Sequence, residues 1–63
     1  MPNYDVSFNS KYANGDTRRE TYHEPDQPDI GAAIARASTR FFEDELQEGR
    51  TAPIGLAINA NQR

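Results

Sequence analysis

The spacing of apolar residues changes twice along this chain, and this change constrains the fold more than any other feature. Apolar side chains alternate with polar ones over residues 4–8, recur at intervals of three and four over residues 30–41, and alternate again over residues 54–58. Alternation is typical of a strand with one buried face, whereas intervals of three and four place side chains on one face of a helix. The pattern therefore predicts an α+β fold.

A hairpin is predicted after the first strand, at Gly15 and the asparagine before it, because both residue types tolerate positive φ. The return strand is RRETYHE, residues 18–24. A two-residue loop would place Phe8 opposite Thr21, whereas a three-residue loop with Gly15 in the left-handed conformation would place Phe8 opposite Tyr22. We prefer the three-residue loop because it turns both aromatic side chains to the core face, and a slip of one residue would reverse them.

The proline-containing segment PDQPD, residues 25–29, separates the second strand from the helix. Proline cannot donate to a sheet ladder, so the strand should end near Glu24. Asp26 or Asp29 can then accept hydrogen bonds from free N–H groups of the first helical turn. Gly49 predicts the end of the helix. Together these signals predict strands over residues 3–12, 18–24 and 54–60 and a helix over residues 29–48.

The connection rules predict how these elements assemble into a single domain, residues 1–63. The crossover through the helix places strand 3 beside strand 1 and antiparallel to it, which gives a three-stranded sheet of order 2-1-3 with one helix packed on one face, a small two-layer ββαβ domain. The alternative places strand 3 parallel to strand 2. In both cases one sheet face is left polar and uncovered. Its members are Asp5, Ser7, Asn9, Lys11, Arg19, Thr21, His23, Ala57 and Asn59.

A chain of 63 residues is expected to have a thin core, since it buries only about 60% of its unfolded surface. There is no cysteine to form a disulfide, and no apolar run has the length of a membrane span, so we expect a soluble, cytoplasmic protein with no cofactor. Thirteen sizeable apolar side chains are candidates for the core. They are Tyr4, Val6, Phe8, Tyr12, Tyr22, Ile30, Ile34, Phe41, Phe42, Leu46, Ile54, Leu56 and Ile58.

The acidic end of the helix is the first candidate binding surface. The net charge is −3, but the acidic residues are clustered, and the segment FFEDELQEG places four of them beside an aromatic side chain. Negative charge at a helix C-terminus opposes the helix dipole, so its presence favours a basic protein partner. The predicted protein-binding residues are Phe42, Glu43, Asp44, Glu45 and Glu48.

The hairpin tip is the second candidate surface. Lys11, Tyr12, Arg18 and Arg19 surround the turn, an arrangement that can contact phosphates or stack a base. The acidic clusters elsewhere argue against nonspecific binding to duplex nucleic acid, which needs a clustered positive face. Nucleic-acid binding through the hairpin is therefore an alternative function.

The histidine of the chain, His23, lies close in sequence to Glu24, Asp26 and Asp29, but this stretch predicts neither a metal site nor an acid–base site. A metal needs three or four ligands that converge on one point, and consecutive strand residues point to opposite faces. The two aspartates are assigned to the helix start. We therefore expect no catalytic residue and no enzyme activity.

These features predict a small non-enzymatic protein-interaction module. It would bind through the acidic helix end, the open sheet face or the edge of strand 3, which carries no charge between Arg50 and Arg63. Small acidic domains of this layout are common among bacteriophage and mobile-element proteins that inhibit host enzymes, and this analogy of size and layout suggests a regulator or inhibitor of a larger machine. A homodimer or structural oligomer built by edge pairing is the other alternative.

Overall fold

The computed structural model describes residues 1–63 and contains three strands and one helix in the order ββαβ. The sheet has the strand order β2-β1-β3, and both pairings are antiparallel. The predicted small α+β architecture with sheet order 2-1-3 is therefore confirmed, and each element begins and ends within two residues of its predicted limits. The elements are β1, Tyr4–Lys11; β2, Thr17–Glu24; α1, Ile30–Gln47; and β3, Gly55–Gln62.

The hairpin between β1 and β2 contains a three-residue loop, residues 13–15, in which Gly15 has φ +91°. The loop is closed by the N–H of Tyr12, which donates to the carbonyl of Asp16 at 2.9 Å. Val6 rather than Phe8 consequently lies opposite Tyr22, so the predicted register is wrong by two residues. A shift of two residues keeps every side chain on its face, and the apolar pattern therefore cannot distinguish the two registers.

The segment between β2 and α1 contains the strand end and the helix start that its prolines and aspartates predict. Strand β2 ends at Glu24, directly before the first proline. Asp29 is the N-cap residue, and its carboxylate accepts from the N–H of Ala32 at 2.8 Å. Asp26 is not a cap: it has φ +56°, and its N–H donates to the side chain of Asn3. Of the two aspartates predicted to begin the helix, only Asp29 does so.

The core lies between α1 and β1. Phe8 of β1 and Phe41 of α1 are stacked with ring centroids 4.6 Å apart, and Tyr22 of β2 meets Phe8 edge to face at 5.8 Å. Alanines at two helical positions let the helix backbone approach the sheet closely. The buried apolar cluster consists of Tyr4, Val6, Phe8, Tyr22, Ala33, Ala37 and Phe41, with Ile34 and Ala60 packed against it.

Six of the thirteen predicted core side chains are exposed, so the core is thinner than the sequence predicts. They lie on α1 and on β3 and the residue that precedes it, and none comes from the hairpin. The six are Ile30, Phe42, Leu46, Ile54, Leu56 and Ile58.

The second face of the sheet is not covered by any element, as predicted. Its side chains are half-buried or exposed, and several contact one another across strands. Ser7 and Thr21 share a hydrogen bond of 3.0 Å, and the Nδ1 atom of His23 lies 2.5 Å from a carboxylate oxygen of Asp5. The helix therefore packs against one sheet face only.

Candidate protein-interaction surface

The two binding patches predicted from sequence contact each other, and the contact is centred on Glu45. The side chain of Glu45 is only 5% exposed, and its carboxylate accepts a hydrogen bond of 2.8 Å from the hydroxyl of Tyr12. Arg18 donates to the other carboxylate oxygen, and a guanidinium nitrogen of Arg50 lies 3.6 Å from that oxygen. A buried carboxylate needs such partners, since an unpaired charge is costly to remove from water. Glu45, Tyr12 and Arg18 are therefore engaged within the chain and are not presented to a partner.

Asp44, the neighbouring member of the acidic patch, is also engaged within the chain. The hydroxyl of Tyr22 donates to its carboxylate at 2.5 Å. Burial raises the pKa of Tyr22, and the hydrogen bond to Asp44 raises it further. Arg40 lies over the ring of Tyr22 at 5.1 Å from the centroid. Asp44 therefore joins the end of α1 to β2.

The charged residues that remain exposed are fewer than the sequence suggests. Glu43 and Glu48 are exposed at the end of α1, and Arg50 approaches Glu48 at 3.9 Å. On the hairpin, Lys11 and Arg19 are exposed on the uncovered sheet face. The acidic patch is thus reduced to two glutamates and the basic patch to two cations.

A polar hollow of about 360 Å³ lies beside the hairpin. Its two cations are Arg18 and Arg50, both of which are already paired with Glu45. Arg18 also pairs with Glu20, and Arg50 also approaches Glu48, so the positive charge is largely compensated and the hollow is a poor site for a phosphate. The lining residues are Tyr12, Asn14, Asp16, Thr17, Arg18, Arg50 and Thr51.

The acidic residues near His23 are dispersed by the fold. His23 is 65% exposed beside Asp5 on the uncovered sheet face, whereas Glu24 is buried on the helix side and bonded to Arg40 at 2.7 Å. Asp29 caps α1. The structure holds no group of three or more histidine, cysteine, aspartate or glutamate side chains placed to bind one metal ion.

The exposed apolar residues of α1 lie on the flank that faces β3. The buried row of α1 consists of Ala33, Ala37, Phe41 and Glu45. The residues one position before members of this row contact β2: Arg40 donates to Glu24, and Asp44 accepts from Tyr22. Positions one residue after the buried row lie about 100° around the helix in the other direction. Because β1 is the central strand, that direction is toward β3. The row contains Ile30, Ile34, Ser38, Phe42 and Leu46.

The exposed apolar residues of β3 lie on the same side of the sheet as this row. Ile58 pairs with the buried Phe8, and Leu56 with the buried Ser10, so both point toward the helix side. They are nevertheless exposed because α1 is centred on β1. We call the combined surface the apolar flank. It consists of Ile30, Phe42, Leu46, Ile54, Leu56 and Ile58.

The apolar flank borders the open edge of β3. The N–H of Arg63 donates to the carbonyl of Asn3, next to the β1–β3 ladder. Hydrogen-bonded and non-bonded pairs alternate along an antiparallel ladder, so it is the odd-numbered residues of β3 that bond to β1. The N–H and C=O groups of Leu56, Ile58 and Ala60 therefore point away from the sheet. The edge thus offers unpaired backbone groups beside exposed apolar side chains.

Part of this surface was detectable in the sequence. The absence of charge between Arg50 and Arg63 marks β3 as an edge that can be paired, and the angular position of Phe42 and Leu46 indicates a widened apolar face. Ile30 was missed, because its spacing from Ile34 fits the core stripe equally well.

Comparison of the chain with models of known protein families, with curated proteins and with solved structures gives no match. No helix of the chain is both long enough and apolar enough to cross a membrane.

Proposed function

We propose that this chain is a non-enzymatic protein-interaction module that binds its partner through the apolar flank and the open edge of β3. One observation carries the proposal: six large apolar side chains are exposed along the β3 side of the molecule, beside the backbone groups of β3 that point away from the sheet. Contiguous apolar patches larger than a few hundred Å² are rare on soluble monomers, and the largest apolar patch of a monomer is often a functional site.

The geometry suits a partner that adds an extended segment to β3. Hydrogen bonds from Leu56, Ile58 and Ala60 would provide affinity, and the side chains on the helix side would provide specificity. Phe42 is 45% and Leu46 is 80% exposed, so both have apolar surface to bury. Burial of apolar surface contributes roughly 25 cal/mol per Å². Covering the exposed side chains of the flank would therefore supply the main attraction.

The acidic residues have a secondary role in this proposal. Glu43 and Glu48 are exposed near the end of α1, where they suit lysine or arginine side chains at the rim of a partner. Rim charges act mainly on association rate and specificity. A module of this kind acts by occupying a surface of the protein it binds, which is the regulatory or inhibitory role expected from the sequence.

The test is an affinity pull-down from the native cell lysate with the parent chain and matched variants. We expect Leu56→Lys to reduce capture of the partner at least about tenfold, because it places a charge in the apolar flank. Thr21→Lys is the control, since Thr21 is exposed on β2 at the opposite edge of the sheet. Circular dichroism verifies that both variants fold.

A second variant separates the acidic rim from the flank. The double charge reversal Glu43→Lys, Glu48→Lys should weaken capture less than Leu56→Lys and should reverse its dependence on salt, because attraction to a basic rim becomes a repulsion that salt screens. Full retention of the partner by Leu56→Lys, together with its loss in the double reversal, would show that the flank is not the binding surface.

A further inference from the structure

We propose that the partner bound at this surface is a second copy of the chain, joined across a twofold axis by antiparallel pairing of the two β3 strands. The proposal rests on the proposed function and names its partner. It converts two three-stranded sheets into one six-stranded sheet with both helices on the same side.

The backbone of β3 restricts how the two copies can pair. Only even-numbered residues of β3 direct N–H and C=O groups outward, so each must face an even-numbered residue of the copy. An axis beside Ala57 meets this condition and places Leu56 of each copy opposite Ile58 of the other. It also places Ala57 opposite itself on the uncovered face, where its small side chain fits. This register brings the two large apolar side chains of the strand together twice.

In the proposed dimer the two helices are separated by a gap, and side chains of the apolar flank would fill it. In the paired sheet, β1 and its copy are three strand spacings apart, about 14 Å. Helices pack at about 8–10 Å, so two helices centred above these strands would leave a gap. Phe42 and Leu46 point toward β3 from each helix and would occupy the gap above Leu56 and Ile58. The exposed apolar side chains are thus placed where the twofold axis requires them.

The charge pattern favours an identical partner over an unrelated strand. Residues 51–62 contain no charged side chain. The strand β3 therefore offers no charge that would attract a charged partner strand, and two copies of it would not repel each other electrostatically. Strand β2, at the other edge, carries four charged side chains and a histidine within eight residues, which protects that edge. With only one open edge, pairing closes at a dimer and does not continue into a filament.

The buried area agrees with a reversible dimer. Pairing of one eight-residue strand, together with the exposed parts of the flank, would cover on the order of 600 Å² per copy, at the low end of specific interfaces. Interfaces at this end of the range are typical of transient complexes, so we expect a dissociation constant on the order of micromolar.

Sedimentation equilibrium from about 1 µM to about 1 mM chain tests the proposal. We expect a monomer–dimer equilibrium for the parent and for Thr21→Lys, and a loss of dimer of at least about tenfold in Leu56→Lys. A parent that remains monomeric at the highest concentration overturns the second copy as partner. If the lysate pull-down still depends on Leu56 in that case, the proposed function stands and only the identity of the partner is wrong.

Cysteine cross-linking tests the register, because the chain contains no cysteine of its own. In Ala57→Cys the two Cα atoms across the axis would be about 4.5 Å apart, a separation that a disulfide spans. We expect Ala57→Cys to form a covalent dimer under mild oxidation much faster than Thr21→Cys. Equal rates, or faster cross-linking through Thr21→Cys, would overturn pairing through β3 even if sedimentation shows a dimer.

Discussion

The hydroxyl of Tyr12 at the hairpin donates a 2.8 Å hydrogen bond to the buried carboxylate of Glu45 in the last turns of α1. The two residues are 33 positions apart, and each belongs to a surface that the sequence alone presents as a candidate binding site. Their contact, with Arg18 on the same carboxylate, ties the open end of the helix to the sheet. Charged side chains that the sequence presents as candidates for binding a partner instead stabilise the packing of the helix against the sheet.

Tyr12→Phe should therefore destabilise the fold. Removal of the hydroxyl leaves a buried carboxylate with one fewer donor, and a hydrogen bond to a charged group contributes about 1.5–3 kcal/mol. The free energy of unfolding from urea titration measures the effect. Tyr4→Phe is the matched control, because Tyr4 is a buried tyrosine at the start of β1 that, unlike Tyr12, makes no hydrogen bond to a carboxylate. A similar loss in both variants would contradict a specific role for the Tyr12–Glu45 contact.

Stability should fall at alkaline pH through Tyr22. Burial and the hydrogen bond to Asp44 raise the pKa of Tyr22 above its ordinary value of 10.0, so the folded state favours the neutral phenol. The contribution to stability is complete below pH about 10 and decreases as the pH rises above that value, because only the unfolded chain then ionises. Urea titrations at successive pH values should show this decrease in the parent and a smaller one in Tyr22→Phe. An identical dependence of the free energy of unfolding on pH in the two proteins would contradict this role of Tyr22.

The fold was predictable from the sequence because its elements have distinct apolar periods and clear ends. The prolines after Glu24, the cap at Asp29 and the positive φ of Gly49 all act locally, so a single sequence contains the information. The β1–β2 register was not predictable, because registers that differ by two residues bury the same faces. In the observed register the backbone of Tyr12 pairs with that of Asp16 and closes the loop.

The candidate site was less predictable, because it depends on contacts between distant residues. Nothing in the sequence near Glu45 shows that Tyr12 and Arg18 will reach it. In the same way, the exposure of Ile58 depends on where the helix lies across the sheet, which apolar spacing does not determine. The uncharged character of β3 is a local property and was correctly identified.

Adjacent phenylalanines of α1 should differ sharply in their contribution to stability. Phe41 is fully buried against Phe8, whereas Phe42 is 45% exposed on the apolar flank. Phe41→Ala should cost about 3–5 kcal/mol, which a domain of this size does not tolerate, and thermal melts should show it largely unfolded. Phe42→Ala should fold and lose about 1 kcal/mol or less, measured at a concentration where the chain is monomeric. A larger effect at Phe42 would mean that the flank is buried in the monomer.

The N-cap at Asp29 gives a further local test. Asp29→Ala removes the acceptor for the N–H of Ala32 and should lower the free energy of unfolding by about 1 kcal/mol. Asp29→Asn is the control, because its side-chain oxygen can accept the same hydrogen bond, and it should retain most of the stability. Equal losses in the two variants would assign the effect to the charge of Asp29 and not to its hydrogen bond.

Hydrogen exchange along β3 tests the open edge directly. In the monomer, the amides of Ala57 and Asn59 bond to β1 and should exchange slowly, whereas those of Leu56 and Ile58 point outward and should exchange much faster. NMR measurements on dilute chain should therefore show protection that alternates from one residue to the next. At concentrations where the second copy binds, the amides of Leu56 and Ile58 should become protected, while the β2 edge amide of Thr21 remains unchanged. Uniform protection of β3 in the dilute monomer would mean that its outer edge is already occupied, and both the binding surface and the dimer would then have to lie elsewhere.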